Sequence, residues 1–241
     1  MASDTGHRDP NALRYEIKMA CQESAYPRVL AAMRLHPAAV RTLYPPRRVQ
    51  SVYLDTPDGN ALEENLAGIS HREKLRFRWY GDGATGVRGT LERKVRENLL
   101  GWKDLARIDA EVDVEGTDRL TFMRHLIANV PADWAADLRQ GLEPVQWISY
   151  TRDYFTTADG TVRITVDREL RTWDQRLRWR LSRAQSSFID RILVIEAKCA
   201  TQHYERAREL LNHLPLFVDR CSKFVLASSA PDGPHPSIFP E

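Results

Sequence analysis

An α+β fold built on an antiparallel sheet is predicted by three features of the chain. Nine segments alternate apolar and polar residues with a period of two. The turn sequences GDGATG (Gly81 to Gly86) and Asp159–Gly160 join neighbouring segments tightly, which forces antiparallel pairing. Helical spacing is confined to a few stretches that do not alternate one for one with the strands, unlike a parallel α/β pattern.

Side chains two apart on a strand share a face, so each segment reads as two columns. The first strand, Leu13 to Cys21, sets Arg14, Glu16 and Lys18 against Tyr15, Ile17 and Met19, and helical spacing follows at Ser24 to Leu35. The strand Val49 to Asp55 precedes a short helix at Asn60 to Ala67. Arg72 to Tyr80 sets Lys74, Arg76 and Arg78 against Leu75, Phe77 and Trp79. Gly89 to Glu97 sets Glu92, Lys94 and Arg96 against Leu91, Arg93 and Val95, and Trp102 to Ile108 is its hairpin partner. Helices are predicted over Thr117 to Asn129 and Ala132 to Gln140. Four strands follow: Gln146 to Thr156, with Tyr150, Arg152 and Tyr154; Thr161 to Leu170, with Arg163, Thr165 and Asp167; Thr172 to Trp179; and Asp190 to Ala200, with Glu196 and Lys198. Helices at His203 to His213 and Ser222 to Ser228 end the ordered part.

The 241 residues suit one domain at about 12–229, between a disordered start (1–11) and a proline-rich tail (230–241). No apolar run approaches the roughly 18 residues of a membrane span, and the start is too polar for a secretory leader, so a cytoplasmic protein is expected. Cys21, Cys199 and Cys221 are too few and too scattered for a disulfide frame or zinc site. No Walker loop or dinucleotide fingerprint occurs. A net charge of +2 gives no global pull toward nucleic acid, so none is expected as a partner. The basic stretch Arg168 to Arg183 reads as a solvated strand surface, with a tunnel mouth or nucleic-acid contact as the alternatives.

The distribution of charge says more than its total. The 35 basic residues comprise 29 Arg and only six Lys: Lys18, Lys74, Lys94, Lys103, Lys198 and Lys223. The polar columns, with Lys103 and Lys223, hold twelve basic and four acidic side chains, the acids being Glu16, Glu92, Asp167 and Glu196. Closing the strands into a barrel removes exposed edges, and helices on the apolar side would leave the charged columns lining the lumen. Such a lumen must be wet and hold anions, because unpaired buried charge is prohibitively costly. A chain of phosphates is the natural complement, with residual carboxylates suited to a divalent metal.

The segments RYEIK (Arg14 to Lys18), SVYLDT (Ser51 to Thr56), KLRFRWYG (Lys74 to Gly81), LERK (Leu91 to Lys94), YTRDYF (Tyr150 to Phe155), RITVDREL (Arg163 to Leu170), VIEAK (Val194 to Lys198) and SKF (Ser222 to Phe224) span nearly the whole chain. In this order they resemble the CYTH or triphosphate tunnel metalloenzyme superfamily, and more closely its VTC branch, the polyphosphate polymerase domain of the vacuolar transporter chaperone proteins. The resemblance implies a closed antiparallel tunnel of about eight strands with helices packed outside. It implies catalytic roles for Arg76, Arg78, Lys94, Arg152, Lys198 and Lys223, and phosphate contacts from Arg14, Lys18, Lys74, Arg96, Lys103 and Arg163. A metal, Mn2+ or Mg2+, is implied on Glu196; Glu16 and Asp167 are further candidate ligands, and these two and Glu92 are alternatively read as orienting the basic groups. The implied substrates are ATP and inorganic polyphosphate or triphosphate. Hydrolytic members open with ExExK, whereas Arg14 stands first here; this favours polyphosphate synthesis from ATP, with a tripolyphosphate or nucleotide hydrolase and a non-catalytic polyphosphate sensor as alternatives.

Overall fold

The structure, a computed structural model, describes residues 14–98, 100–184, 187–188, 191–214 and 222–228. The expected disordered start, the proline-rich tail and Cys221 lie outside them. Cys21 and Cys199 are free thiols. Among the described residues no helix is long and apolar enough to cross a membrane.

Eight long strands form the sheet: β1 Arg14–Gln22, β2 Arg41–Asp55, β3 His71–Tyr80, β4 Val87–Glu97, β5 Leu100–Val112, β6 Glu143–Thr156, β7 Val162–Asp174 and β9 Ile192–Ala200, with a two-residue β8 at Ser187–Phe188. The order is β6-β2-β3-β4-β5-β1-β9-β7-β8, all antiparallel, and β6 also pairs β7. The predicted antiparallel sheet is therefore present, but β5 and β1 meet at a single register pair, Arg14 with Gly101. The described parts of both strands begin at that level and run apart in opposite directions, so among the described residues the pairing goes no further. The other neighbouring long strands pair over ladders of six or more register pairs; β1 stays in register with β9 from Arg14–Ala200 to Gln22–Ile192.

Among the described residues six α-helices accompany the sheet: α1 Tyr26–Arg34, α2 Asn60–Ala67, α3 Arg119–Ala128, α4 Ala132–Leu138, α5 Tyr204–Asn212 and α6 Lys223–Ser228. The apolar columns face outward under two helix pairs. Phe122, Leu126, Trp134 and Leu138 of α3 and α4 pack with Phe77, Trp79, Leu91, Ile108 and Trp147. Val29 and Met33 of α1 join Ala207, Leu210 and Leu211 of α5 over Met19, Ile164, Val166, Ile195 and Ala197. Each such fully buried large side chain stabilises the fold by about 1.5–3 kcal/mol before entropy is counted.

The expectation that all helices lie outside needs correction. Phe224 and Ala227 of α6 cluster with Tyr53, Ile148, Tyr150, Leu170 and Val194, whose side chains belong to the inner columns, and Phe224 stacks on Tyr53 at 4.9 Å and 14°. One part of the inner face is thus an apolar core closed by α6, not a continuous wet channel.

Local chemistry explains the joints. Asp55, at the end of β2, accepts hydrogen bonds from the backbone N–H of Ala61 and Leu62 and so anchors α2 to the sheet. The Asp118 carboxylate caps α3 by accepting from Thr121 N–H at 2.8 Å. Gly89 sits where the β4–β5 register shifts; a Cβ there would lie 2.5 Å from the Arg78 carbonyl oxygen and 2.6 Å from the Phe77 ring, so only glycine allows that approach.

Two strand predictions change. β2 begins eight residues before Val49 and contains Pro45 and Pro46, which fall at a register shift between Tyr44 and Arg47 on a stretch paired to β6 alone. Prolines are tolerated at such an irregular, one-sided position. The separate strand predicted at Thr172 to Trp179 is instead the end of β7, continuous through a bulge at Glu169 (φ 55°), and it stops at Asp174. Beyond it Leu177 and Trp179 are 99% and 76% exposed. The arginines there bond locally, Arg178 to the Asp174 and Ala184 carbonyls and Arg180 to the Gly116 carbonyl, so they shape a loop and not a strand surface.

Candidate active site

The inner columns bring eight cations onto four carboxylates. On one hub, Glu92 receives Arg76 at 2.6 Å, Lys103 at 3.1 Å and Arg78 at 3.3 Å. Arg76 also donates to the Tyr53 hydroxyl at 2.7 Å, and Arg78 to the Tyr150 hydroxyl at 2.9 Å. On the other hub, Glu16 receives Lys94 at 2.6 Å and Lys18 at 3.3 Å. Glu196 receives Lys223 at 2.9 Å, Lys198 at 3.1 Å, and Lys18 and Arg152 each at 3.5 Å. Asp167 is gripped by both arms of Arg152, at 2.6 and 2.7 Å, and by Lys223 at 2.6 Å.

β-Geometry produces this convergence. Register places Lys18 opposite Glu196, Glu16 opposite Lys198, Arg76 opposite Glu92 and Arg152 opposite Asp167, each pair on one face of adjacent strands. Lys74 has a different partner: its ammonium donates to the Ser222 hydroxyl at 2.8 Å, just before α6.

The electrostatics follow from crowding. Burial alone would raise the Glu16, Glu92 and Glu196 carboxyls, but the cations around each outweigh it and hold them well below the ordinary carboxylate range. Burial pushes Lys74 down to about 6, with Lys18, Lys94, Arg72 and Arg76 adding repulsion. Burial and Lys18 likewise bring Lys94 to about 7 in spite of Glu16. Lys223 goes the other way: Asp167 and Glu196 outweigh burial and raise it. The ligand-free cluster therefore carries more positive charge than its own acids satisfy.

The predicted residues divide accordingly. Lys18, Arg76, Arg78, Lys94, Lys103, Arg152, Lys198 and Lys223 come together, Lys74 beside them. Arg96 turns to the Asn98 carbonyl at the β4–β5 hairpin, outside the cluster. Arg163 is exposed and lies opposite Lys198 in register. The side chain of Arg14 lies outside the described part. Sequence reasoning missed the hydroxyls of Tyr53, Tyr150, Ser51 and Ser222. Tyr53, Tyr150 and Ser51 sit at inner positions of strands whose apolar neighbours masked their polarity.

Among the described residues no three of His, Cys, Asp and Glu form a metal cage. Asp167 does not fit a metal, since Arg152 and Lys223 occupy both its oxygens. Glu16 and Glu196 fit better: Glu196 also carries cations on both oxygens, but its Lys198 is 35% exposed and can give way, whereas Arg152 and Lys223 on Asp167 are 11% and 6% exposed. Both glutamates are hard oxygen donors linked through Lys18, and Glu16 Oε1 is buried without a hydrogen-bond donor. A divalent ion that takes one or two carboxylates, with water and substrate phosphate completing its shell, matches that donor set.

Fold and site together define an antiparallel-sheet domain whose inner face gathers cations in excess over its own carboxylates. The VTC domain family model matches residues 13–230, and the chain belongs to that family. No curated protein matches the sequence. Solved structures similar to it include the PH1819 protein of Pyrococcus horikoshii OT3, with 13% identity, 88% of this chain and 97% of that chain covered, and a TM-score of 0.49. A candidate adenylate cyclase from Vibrio parahaemolyticus gives 12% identity, 89% and 98% coverage and a TM-score of 0.49. A chain of the Schizosaccharomyces pombe Mediator head module gives 9% identity, 86% and 96% coverage and a TM-score of 0.43.

Proposed function

We propose that this protein closes its sheet into a tunnel and carries out metal-dependent phosphoryl transfer there, synthesising polyphosphate from ATP. The observation that carries this reading is the charge imbalance: eight basic side chains share four carboxylates on one inner face, and Lys74 lies beside them with the Ser222 hydroxyl as its partner. A phosphate chain supplies the missing negative charge at a spacing that several ammonium and guanidinium groups can grip at once.

In this mechanism Arg76, Arg78, Lys94 and Lys198 hold the non-bridging oxygens and keep donor and acceptor phosphates in line. The chemistry asks mainly for alignment and charge neutralisation. Glu92 fixes Arg76 and Arg78, while Asp167 fixes Arg152 and Lys223, so the donors are pre-oriented before substrate arrives. Glu196 and Glu16 would hold the divalent ion, which when bound neutralises charge on the transferring phosphate.

Synthesis is favoured over hydrolysis by the carboxylates themselves. A general base for water works best with a pKa near the operating pH, and Glu16, Glu92 and Glu196 are all held far below it. A terminal phosphate acceptor is already ionised and needs no such base.

The test is incubation of purified protein with ATP and Mn2+, followed by gel analysis of products. Lengthening polyphosphate is the expected result. Orthophosphate release without chain growth would select hydrolysis, and absence of any turnover would contradict the catalytic reading.

A further inference from the structure

Beside the β6–β7 hairpin a cavity of about 400 Å³ lies among β2, β6, β7 and β9, and its walls carry two unlike chemistries. One wall is cationic. Arg163 and Lys198 are cross-strand neighbours there, and Lys198 reaches Glu196 at 3.1 Å and Glu16 at 3.9 Å, so the cavity is continuous with the ion cluster. The other wall is aromatic. Tyr44 and Tyr154 meet edge to face at 5.8 Å and 80°, and the Arg47 guanidinium lies 5.4 and 5.9 Å from their ring centres. Thr165 also lines the cavity, and its buried hydroxyl has no hydrogen-bond partner.

An inorganic phosphate chain gains nothing from an aromatic wall. A flat heterocycle does, because bases stack on tyrosine faces and edges whatever their hydrogen-bonding pattern. The volume lies within the usual range for small organic ligands. Among the described residues the lining contains no Asn, Gln, Asp or Glu side chain to read a base edge.

We propose that this cavity binds the base and ribose of a nucleoside triphosphate, directing its phosphates past Arg163 and Lys198 into the cluster, with little discrimination between purines. The inference rests on the phosphoryl-transfer reading and adds to it the place where the nucleoside part of the donor is held.

Tyr44 is about half exposed, so Tyr44→Ala removes a ring without opening the core. Tyr154→Ala is the second variant, and thermal melting of both controls for folding. Calorimetric titration with ATP, GTP and inorganic tripolyphosphate reads the outcome. The expected result is similar affinity of the wild type for ATP and GTP, a loss of about tenfold or more for both nucleotides in folded variants, and tripolyphosphate binding within about twofold of wild type. Equal weakening of all three ligands, or none in either variant, would overturn the nucleoside site while leaving the phosphate site intact. A wild type that binds tripolyphosphate but neither nucleotide would also overturn it. A wild type that binds no polyanion would overturn the phosphate reading itself.

Discussion

The ion pairs around Asp167 and those around Glu16 and Glu92 use the same chemistry to different ends. Around Asp167 the ion pairs are sealed: its side chain is 0% exposed, and Lys223, the first residue of α6, is 6% exposed. Around Glu16 and Glu92 three lysines stay reachable, Lys94, Lys198 and Lys103 at 33%, 35% and 42%, although Arg76 and Arg78 beside them are 15% and 9% exposed. Dry, fully matched pairs fix geometry and resist separation, while wet, over-supplied cations remain free to exchange a carboxylate for a ligand oxygen. Solvent access, more than residue type, separates the sealed cations from the reachable ones.

The sharpest break of that contrast is Asp167→Ala. It strands Arg152 and Lys223 in a dry site, and removing one member of a buried pair costs about 3–5 kcal/mol. Urea unfolding is the measurement, and a loss under about 1 kcal/mol would put Asp167 among the exchangeable groups. Phe224→Ala acts at the same end without touching charge. It removes the ring stacked on Tyr53 and should cost about 3 kcal/mol while loosening α6, which hydrogen exchange across Lys223 to Ser228 would report.

A third effect belongs to the wet end and is read as protons. Lys74 and Lys94, held at about 6 and about 7, bind fewer protons folded than unfolded from those values up to the ordinary lysine pKa of about 10.4. Their contribution to stability therefore rises with pH through that window and is unfavourable below it. The depressed carboxylates have the same sign of slope in a lower window, stabilising above their unfolded pKa and losing that contribution as pH falls through the lower folded one. An anion that restores charge to Lys94 must take up a proton at pH 8. Titration with tripolyphosphate in two buffers of different ionisation enthalpy should show uptake, and affinity should decline as pH rises above about 7. Net proton release would contradict this assignment of the lysines.

Much of this was legible in the chain. Period-two alternation assigned the faces of β1, β3, β4, β7 and β9, because a strand side chain has only two directions to point. The lysine positions singled out the cluster in an arginine-rich sequence, although nothing local tells a sealed lysine such as Lys223 from an open one such as Lys198. That difference is made by α6, whose six residues are too few for a helical period to reveal its buried side. The long start of β2 was hidden by Pro45 and Pro46, which argue against a central strand and are accommodated only because one edge there is unpaired. The bulge at Glu169 made one strand look like two.

The central claim, that the open cations of the inner face form a phosphate-chain site, is tested most directly by titrating inorganic tripolyphosphate into wild type, Lys198→Ala and Lys94→Ala. Removing one charge-assisted contact, worth about 1.5–3 kcal/mol, predicts roughly tenfold or greater weakening in each variant. Unfolding free energies should stay within about 1 kcal/mol of wild type for Lys198→Ala, whose pairs are partly solvated. Wild-type protein that does not bind tripolyphosphate, or binding unchanged in both folded variants, would contradict the claim.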